Sequence, residues 1–533
     1  MKKITRYIFF LSLLIVAASF NPAAASEDDY IQGVAGGILA LSDPQTKLAP
    51  SHWGHPGYEK VAFLYDKSVD ALVLKAAGRD KEAEEIMDYF AARLAIPMNE
   101  LKERADSNGV YGILKIYRSK NGTIREEKAL INALDITSSR RQGKSELEFW
   151  TTPGPISFVI FAMLAVNPQK YHDQALGLGE VLLAMQAADG GVTDGDRAWQ
   201  KVHTEPHMDA YAAFLMFYQL TGDAKWKAAA ERAFDWFKEN VYHPWQGTID
   251  QGVWFGQPST IFATDVYSWT MCGPAGERFS AGELKNLTRT MLGRSLVKVR
   301  LALPDRREES FILCDFSDAL DERVKEVRNG FRPVGSVEWT AGVALALQKN
   351  AVRFFKAGDK DSAVFYKALA ETLLKEALNC FYENSRINSK VAFYATGQGV
   401  EVGPFGSIEK VLASGWKTPI FFAKDKEGRI TIQGGSTVST WVVLPLSGAN
   451  PFVLEDTYRS FYDQIPLGRQ DFSKARDYLE ELAGKRSFTE EIPFETIADD
   501  SPILEPEIFN RKMWEAMDLA YAAKSRKDLS AAK

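Results

Sequence analysis

Pairs of predicted helices recur along most of the chain, and they constrain its fold more than any other feature. In each pair an almost wholly apolar segment is followed, after a short turn, by an amphipathic segment with charged residues along one side. A helix that is apolar all round must be buried on every side, whereas an amphipathic helix covers a core with one face. The pattern therefore predicts inner helices surrounded by outer helices.

Six such pairs can be counted from residue 61 onwards. With the inner segment first, they are 61–77 and 81–95, 156–165 and 171–188, 206–220 and 224–241, 262–271 and 280–299, 337–348 and 361–381, and 436–446 and 510–524. Six inner and six outer helices can close into a double ring, so the sequence predicts a mostly α protein with an (α/α)6 barrel. No low-complexity linker interrupts the pattern, and we expect a single domain over residues 27–533.

The segments between the helices carry a different pattern. Residues 109–133, 386–399 and 415–433 alternate between apolar and polar side chains and contain glycines suited to turns. Such alternation predicts β-hairpins or long loops that decorate one face of the barrel. Residues 469–506 are charged and punctuated by proline, which predicts a surface excursion.

The first 26 residues have the order of a bacterial signal peptide. Lys2, Lys3 and Arg6 precede an apolar run over residues 7–20, and small residues follow up to Ser26. The run is too short for a comfortable membrane-spanning helix, although an uncleaved anchor is the alternative. We expect a mature protein that begins at Ser26 or Glu27 and is periplasmic or secreted.

Composition excludes several classes of function. The net charge of −6 offers no general attraction to nucleic acid or to an acidic membrane surface. Three cysteines are too few for a disulfide framework and do not lie at zinc-ligand spacing, and nucleotide-binding, zinc-protease and α/β-hydrolase motifs are missing. We expect no metal and no cofactor, whereas the oligomeric state stays open.

Acidic residues recur at the beginning of the predicted inner helices. If these helices run parallel, their N-termini open at the same end of the barrel, where free N–H groups suit carboxylates and sugar hydroxyls. Thr204, Thr264 and Ser336 could act there simply as helix caps. The carboxylates expected around one shared cavity are Asp66, Glu205, Asp209, Asp265 and Glu338.

Paired carboxylates are what the cleavage of a glycosidic bond requires, one as a proton donor and one as a base or nucleophile. Glu338 lies at the head of a very apolar segment, where burial would raise its pKa, so we predict it to be the donor. Glu205 and Asp209 are four residues apart on one helix face, and we predict one of them to be the base. Further residues predicted to bind substrate are Tyr65, Asp66, His207, Asp265, Trp150, Trp339 and Trp441.

An ordered set of short motifs resembles the six-hairpin glycosidase superfamily, in particular its exported bacterial members. The motifs are Tyr65-Asp66, the Thr-x-Pro-Gly-Pro type of turn at Thr152, Gln186 to Gly191, Thr204-Glu205, Ala263 to Asp265, Val337 to Thr340, Ser439 to Trp441, and Asn450 to Phe452. The chain departs from the pattern at Pro206, where the family has His, and at His207, where it has Asn. The resemblance implies an (α/α)6 barrel and a carbohydrate ligand.

Three functions are compatible with these features. The leading hypothesis is an exported glycoside hydrolase that acts on a polysaccharide or oligosaccharide by carboxylate acid/base catalysis. A non-catalytic glycan-binding protein of an exopolysaccharide system would keep the aromatic cleft without needing two carboxylates of different pKa. A sugar epimerase or lyase in the same cleft is the third, and the resemblance implies that an epimerase would depend on histidines.

Overall fold

A computed structural model describes residues 26–53, 61–97, 111–117, 124–130, 133–135, 152–193, 201–254, 256–302, 307–324, 333–384, 387, 389–393, 395–396, 421–424, 430–454 and 458–491. The helices in these ranges are α1 (Glu27–Leu41), α2 (Leu64–Ala76), α3 (Asp80–Leu94), α4 (Pro153–Val166), α5 (His172–Met185), α6 (Thr204–Thr221), α7 (Ala224–Asn240), α8 (Thr264–Cys272), α9 (Ala281–Ser295), α10 (Val337–Lys356), α11 (Lys360–Leu378), α12 (Ser436–Ser447), α13 (Tyr458–Tyr462) and α14 (Arg469–Gly484).

The even-numbered helices from α2 to α12 form a closed inner ring. Each packs against the next, and α12 packs back against α2. Helices α3, α5, α7, α9 and α11 each pack on the outside of the inner helix that precedes them. A ring closed on itself buries its members on both sides, which is why α4 is apolar around its whole circumference. The chain therefore folds as an (α/α)6 barrel, and the predicted fold class is confirmed.

The sixth outer helix comes from the start of the chain. Helix α1 packs against both α12 and α2, so it covers the seam where the ring closes. Ser26 caps this helix, accepting the Asp29 N–H while its own N–H donates to the Asp29 carboxylate. Ile31, Val34 and Ile38 supply the buried face. The sequence pattern predicts the sixth outer helix at residues 510–524 instead, and this segment lies outside the described residues.

Short strands connect the helices. They are β1 (His52–Trp53), β2 (Val61–Phe63), β3 (Tyr111–Tyr117), β4 (Ile124–Leu130), β5 (Ala133–Asp135), β6 (Lys201–His203), β7 (Tyr242–His243), β8 (Thr248–Ile249), β9 (Gly252–Trp254), β10 (Gln257–Ser259), β11 (Leu296–Ala302), β12 (Glu308–Cys314), β13 (Phe381–Asn384), β14 (Ser389–Ala392), β15 (Phe421–Lys424), β16 (Ile430–Gly435) and β17 (Ser487–Glu491). The predicted hairpin within 109–133 is confirmed by the antiparallel pair β3–β4, and the pairs β13–β14 and β15–β16 form two more. Strands β2, β6 and β16 each run directly into an inner helix.

Two predicted boundaries are wrong. The outer helix expected over 280–299 ends at Ser295, and the chain continues as β11, in which buried Val297 and Val299 alternate with more exposed residues. β11 pairs antiparallel with β12 and parallel with β17. The surface excursion expected over 469–506 begins instead with α14, which buries Ala475, Leu479 and Ala483 and packs against α11 and β11. Charged residues dominate that segment, so the sequence pattern did not indicate the narrow apolar face with which this helix packs.

Close approach between inner helices depends on one glycine. A Cβ added at Gly342 of α10 would lie 2.6 Å from the indole ring of Trp269 on α8. Any larger residue there would force the two helices apart. Most of the buried apolar residues of the described ranges form one continuous cluster that extends from Ile31 to Ala483, and Val61 and Phe63 form a small separate one. Within the described ranges, none of the helices is long and apolar enough to span a membrane.

Candidate functional site

The heads of the inner helices carry the predicted site. Tyr65, Glu205, Asp265 and Glu338 are each the second residue of an inner helix, namely α2, α6, α8 and α10. The residue before each of these helices is in the extended conformation, so the backbone changes abruptly from extended to helical at the mouth. We call this end the mouth and define it by Tyr65, Asp66, Glu205, Asp209, Asp265 and Glu338.

Tyr65 connects three of the inner helices at the mouth. Its hydroxyl donates to Glu338 Oε1 of α10 at 3.1 Å and accepts the indole N–H of Trp441 of α12. Burial raises the pKa of Tyr65 well above its usual value, and the charges of Glu338, Glu205 and Asp66 raise it further. The phenol therefore stays protonated and acts as a hydrogen-bond donor.

Glu338 is buried in an apolar environment at the head of α10. Glu338 is 4% exposed, and its neighbours in the chain, Val337 and Trp339, are 0% and 7% exposed. Ser336 caps the same helix by accepting the Trp339 N–H, so the interpretation of Ser336 as a helix cap is confirmed. Thr204 and Thr264 are not caps: they are first helical residues, and their hydroxyls donate to the carbonyls of Asp250 and Asp315.

Glu205 and Asp209 form a pair of carboxyl groups on one face of α6. A Cβ added at Gly154 of α4 would lie 3.5 Å from Asp209 Oδ2 and 3.7 Å from Glu205 Oε1, so both groups lie over the same point of the neighbouring helix. Asp209 is fully buried, whereas Glu205 is half-buried. Burial raises the pKa of Asp209 well above its usual range, the neighbouring Glu205 side chain acts in the opposite direction, and the charge of Asp265 raises the pKa further.

Asp265 adds a third acidic group beside this pair. It is half-buried, and its carboxylate accepts the N–H of Val266 at 2.8 Å. Burial raises its pKa to about 6 despite that hydrogen bond. The mouth therefore contains carboxyl groups of unequal burial that will not lose their protons together.

Aromatic rings form a floor beneath the mouth. The ring centroids of Trp269 and Trp441 are 4.4 Å apart, and those of Tyr65 and Phe158 are 4.5 Å apart. Trp339 packs edge-on against Phe316. Trp441 was predicted to bind substrate, but it is fully buried, and in this structure it supports Tyr65 through its indole N–H.

His207 has a structural role here that differs from the predicted one. Its Nδ1 accepts the N–H of Val192 at 3.1 Å, and its Nε2 lies 2.9 Å from the carbonyl of Ala233. The ring is fully buried and packs against Trp236 of α7, on the outer side of α6. Burial lowers its pKa to about 4, so it is neutral. Both ring nitrogens are thus occupied by backbone groups. Trp150 lies outside the described residues.

A buried ion pair at the ring seam was not predicted from the sequence. Lys67 and Asp70 of α2 are fully buried and paired, and Lys67 also donates to Ser436 Oγ at the head of α12 at 3.4 Å. Burial raises the pKa of Asp70 to about 6 although the Lys67 charge opposes that shift. The available signal was a lysine inside an apolar inner helix with an acid three residues later.

Groups suited to metal binding are not evident in the described part of the chain. No cluster of three or more His, Cys, Asp or Glu residues there has an arrangement that could hold a metal ion. The three cysteines are buried free thiols. The segment around Asp189 is a turn after α5, in which the Ala187 carbonyl accepts the Gly190 N–H and the Ala187 N–H donates to the Gly191 carbonyl.

Solved structures with a similar arrangement of helices are enzymes that act on carbohydrates. They include a glycosidase (11% identity, 80% of this chain and 97% of that chain, TM-score 0.48) and the unsaturated glucuronyl hydrolase of Bacillus sp. GL1 (12% identity, 79% and 96%, TM-score 0.45). A third is D-mannose isomerase (10% identity, 80% and 98%, TM-score 0.46). No family model and no curated protein sequence matches the chain. The closed ring from α2 to α12, covered by α1 at its seam, identifies the fold of the chain as an (α/α)6 barrel.

Proposed function

We propose that this chain is an exported glycoside hydrolase that acts on a polysaccharide or oligosaccharide at the mouth. The observation that carries the proposal is that Tyr65 donates a hydrogen bond to Glu338 of α10, while the charge of Glu205 of α6 also raises the pKa of Tyr65. Two carboxyl groups brought from different helices to the surroundings of one side chain can flank a glycosidic bond.

The two groups differ in the way that acid/base catalysis needs. Glu338 is almost fully buried among apolar neighbours, which favours a proton on its carboxyl group, and Tyr65 orients it. Glu205 is half-buried and can reach solvent. In the proposed reaction Glu338 donates its proton to the leaving-group oxygen, and Glu205 acts as the base that activates water or as the nucleophile.

Other functions receive less support from the site. His207 has both ring nitrogens engaged with backbone groups, which weakens an epimerase mechanism that relies on a pair of histidines at the mouth. A non-catalytic glycan-binding protein would not need a buried glutamate oriented by a tyrosine. Glycan binding by the wild type without any turnover would favour that second function.

The cap of helix α1 supports the proposed export. Ser26 is both the predicted first residue after cleavage and the N-cap of α1, so cleavage before Ser26 preserves the cap. Mass spectrometry of protein from a bacterial periplasm is expected to give a mature N-terminus at Ser26, with Glu27 as the alternative. Recovery of intact Met1 from the membrane fraction would instead show an anchor.

The catalytic proposal is tested by removing one proton-transfer group at a time. Glu338→Gln and Glu205→Gln are each expected to lower turnover of a glycan substrate by about 10²–10⁴-fold, since each removes a general acid or base. Their melting temperatures should stay near that of the wild type. Glu239→Gln, an exposed position on α7, is the matched control and should change neither quantity. Reducing-sugar release from a glycan panel supplies the assay, and retained turnover in Glu338→Gln would overturn the assignment.

A further inference from the structure

Asp209 occupies a position where an ionised carboxylate is hard to accommodate. It lies in the second turn of α6, is fully buried, and neither of its oxygens accepts a hydrogen from a donor in the described part of the chain. A buried charge without donors or a counter-ion is very costly, and such a group takes up a proton instead.

The neighbouring group supplies what a protonated Asp209 needs. The Glu205 carboxylate lies four residues earlier on the same helix face, and the two oxygens nearest to Gly154 belong to this pair. Two carboxyl groups can hydrogen-bond to each other only when one carries a proton. Glu205 is the more exposed of the two, so solvent stabilises its charge and the proton belongs on Asp209.

We infer that Asp209 is a protonated positioning residue, which donates its carboxyl hydrogen to Glu205 and holds that group ionised and oriented for catalysis. The inference rests on the proposed function, because it assigns the base to Glu205 alone. It also removes Asp209 from the two candidates for the base that the sequence left open. A hydrogen bond donated to the ionised form of Glu205 stabilises its charge and keeps it ready to act as a base.

The proton can be located without any assay of activity. Infrared spectra of the mature protein at pH 8 should contain a carbonyl band of a protonated carboxyl group that shifts in D2O. This pH lies above the pKa of about 6 that burial gives to Asp265 and to Asp70, so those groups do not contribute. Glu338 also carries a proton in the proposed function, and its band is recognised because it is lost in Glu338→Gln. The band that Glu338→Gln retains is the one assigned to the pair of Asp209 and Glu205. The band is expected to disappear in Asp209→Asn and to persist in Glu205→Gln. The opposite pattern would place the proton on Glu205 and overturn the inference.

A pair of Asp209 variants then tests the positioning role in the enzyme. The amide of Asp209→Asn still donates to Glu205, so turnover should fall by no more than about tenfold, the worth of one hydrogen bond. Asp209→Leu removes the donor, so the acidic limb of the kcat/KM profile should move to higher pH. Loss of turnover in Asp209→Asn as complete as in Glu205→Gln would make Asp209 the base itself and contradict the inference.

Failure of the proposed function would look different from failure of this inference. If no glycan is hydrolysed by the wild type, the hydrolase proposal fails, while the infrared result still decides where the proton lies. If Asp209→Leu does not fold, Asp209→Asn and Glu205→Gln carry the test by themselves. An unchanged pH profile in a folded Asp209→Leu variant would show that Asp209 has only a packing role.

Discussion

The two ends of the barrel satisfy their polar groups in opposite ways. At the C-terminal end, where α8, α10 and α12 finish, free helix carbonyls receive hydrogen bonds from side chains. Arg353 donates to the carbonyls of Met271 and Gly273, and Asn450 donates to that of Cys272. These donors complement the negative end of a helix dipole, and they supply hydrogen bonds to carbonyls in the last turn that have no partner within the helix.

At the mouth, acidic residues lie at the positive ends of the same helices, which suits the helix dipole. One of these acids, Asp209, receives no hydrogen bond from a donor among the described residues. Buried polar groups in native proteins are nearly always paired, and exceptions concentrate at functional sites. The two ends therefore differ in how fully the described polar groups are paired: side-chain donors reach the helix carbonyls at the C-terminal end, whereas Asp209 at the mouth has no donor among the described residues.

The largest effect is expected from the buried ion pair of Lys67 and Asp70 near the mouth. Lys67→Met leaves the fully buried Asp70 without its counter-ion, and the free energy of unfolding should fall by about 3–5 kcal/mol. The double variant Lys67→Met/Asp70→Leu should recover most of that loss, because it removes both charges. Denaturant unfolding at pH 8 measures both. Equal losses in the single and double variants would show that packing, and not charge, holds the seam.

Removing a donor from the C-terminal end should reduce stability and leave chemistry intact. Arg353→Met deprives two buried carbonyls of their partner, and the free energy of unfolding should fall by about 2–3 kcal/mol. The value of kcat should not change, since the mouth is at the other end of α10. Lys238→Met, which breaks an exposed ion pair with Asp235, is the control and should cost about 0–1 kcal/mol. A loss of kcat in Arg353→Met would break the proposed separation of the two ends.

The smallest effect concerns the pH dependence of stability at the mouth. Because the pKa of Asp265 is raised from 3.8 to about 6 in the folded state, its contribution is fully present below the unfolded pKa and is lost as pH rises through about 6. The stability of the wild type relative to Asp265→Asn should therefore fall by about 1–3 kcal/mol between about pH 4 and pH 7. A stability difference that rises with pH would mean that folding lowers the pKa of Asp265 and would contradict the prediction.

The sequence by itself determined the inner and outer character of most of the helices and the acids at their heads. Apolar residues around the whole of α4 demand burial on every side, and the motif at Glu338 begins a helix whose first turns are apolar, so both could be predicted from the local pattern. The β3–β4 hairpin was predictable for the same reason, because its alternation is local.

Only the tertiary structure decided which segments meet. The place of α1 as the sixth outer helix depends on closure of the ring between α12 and α2, and no local pattern encodes that contact. The same is true of Tyr65 between Glu338 and Trp441, which are 273 and 376 residues away in sequence. Periodicity reports how much of a helix is buried but not against what, so the pairing of Lys67 with the α12 head and the backbone role of His207 emerged only from the folded ring.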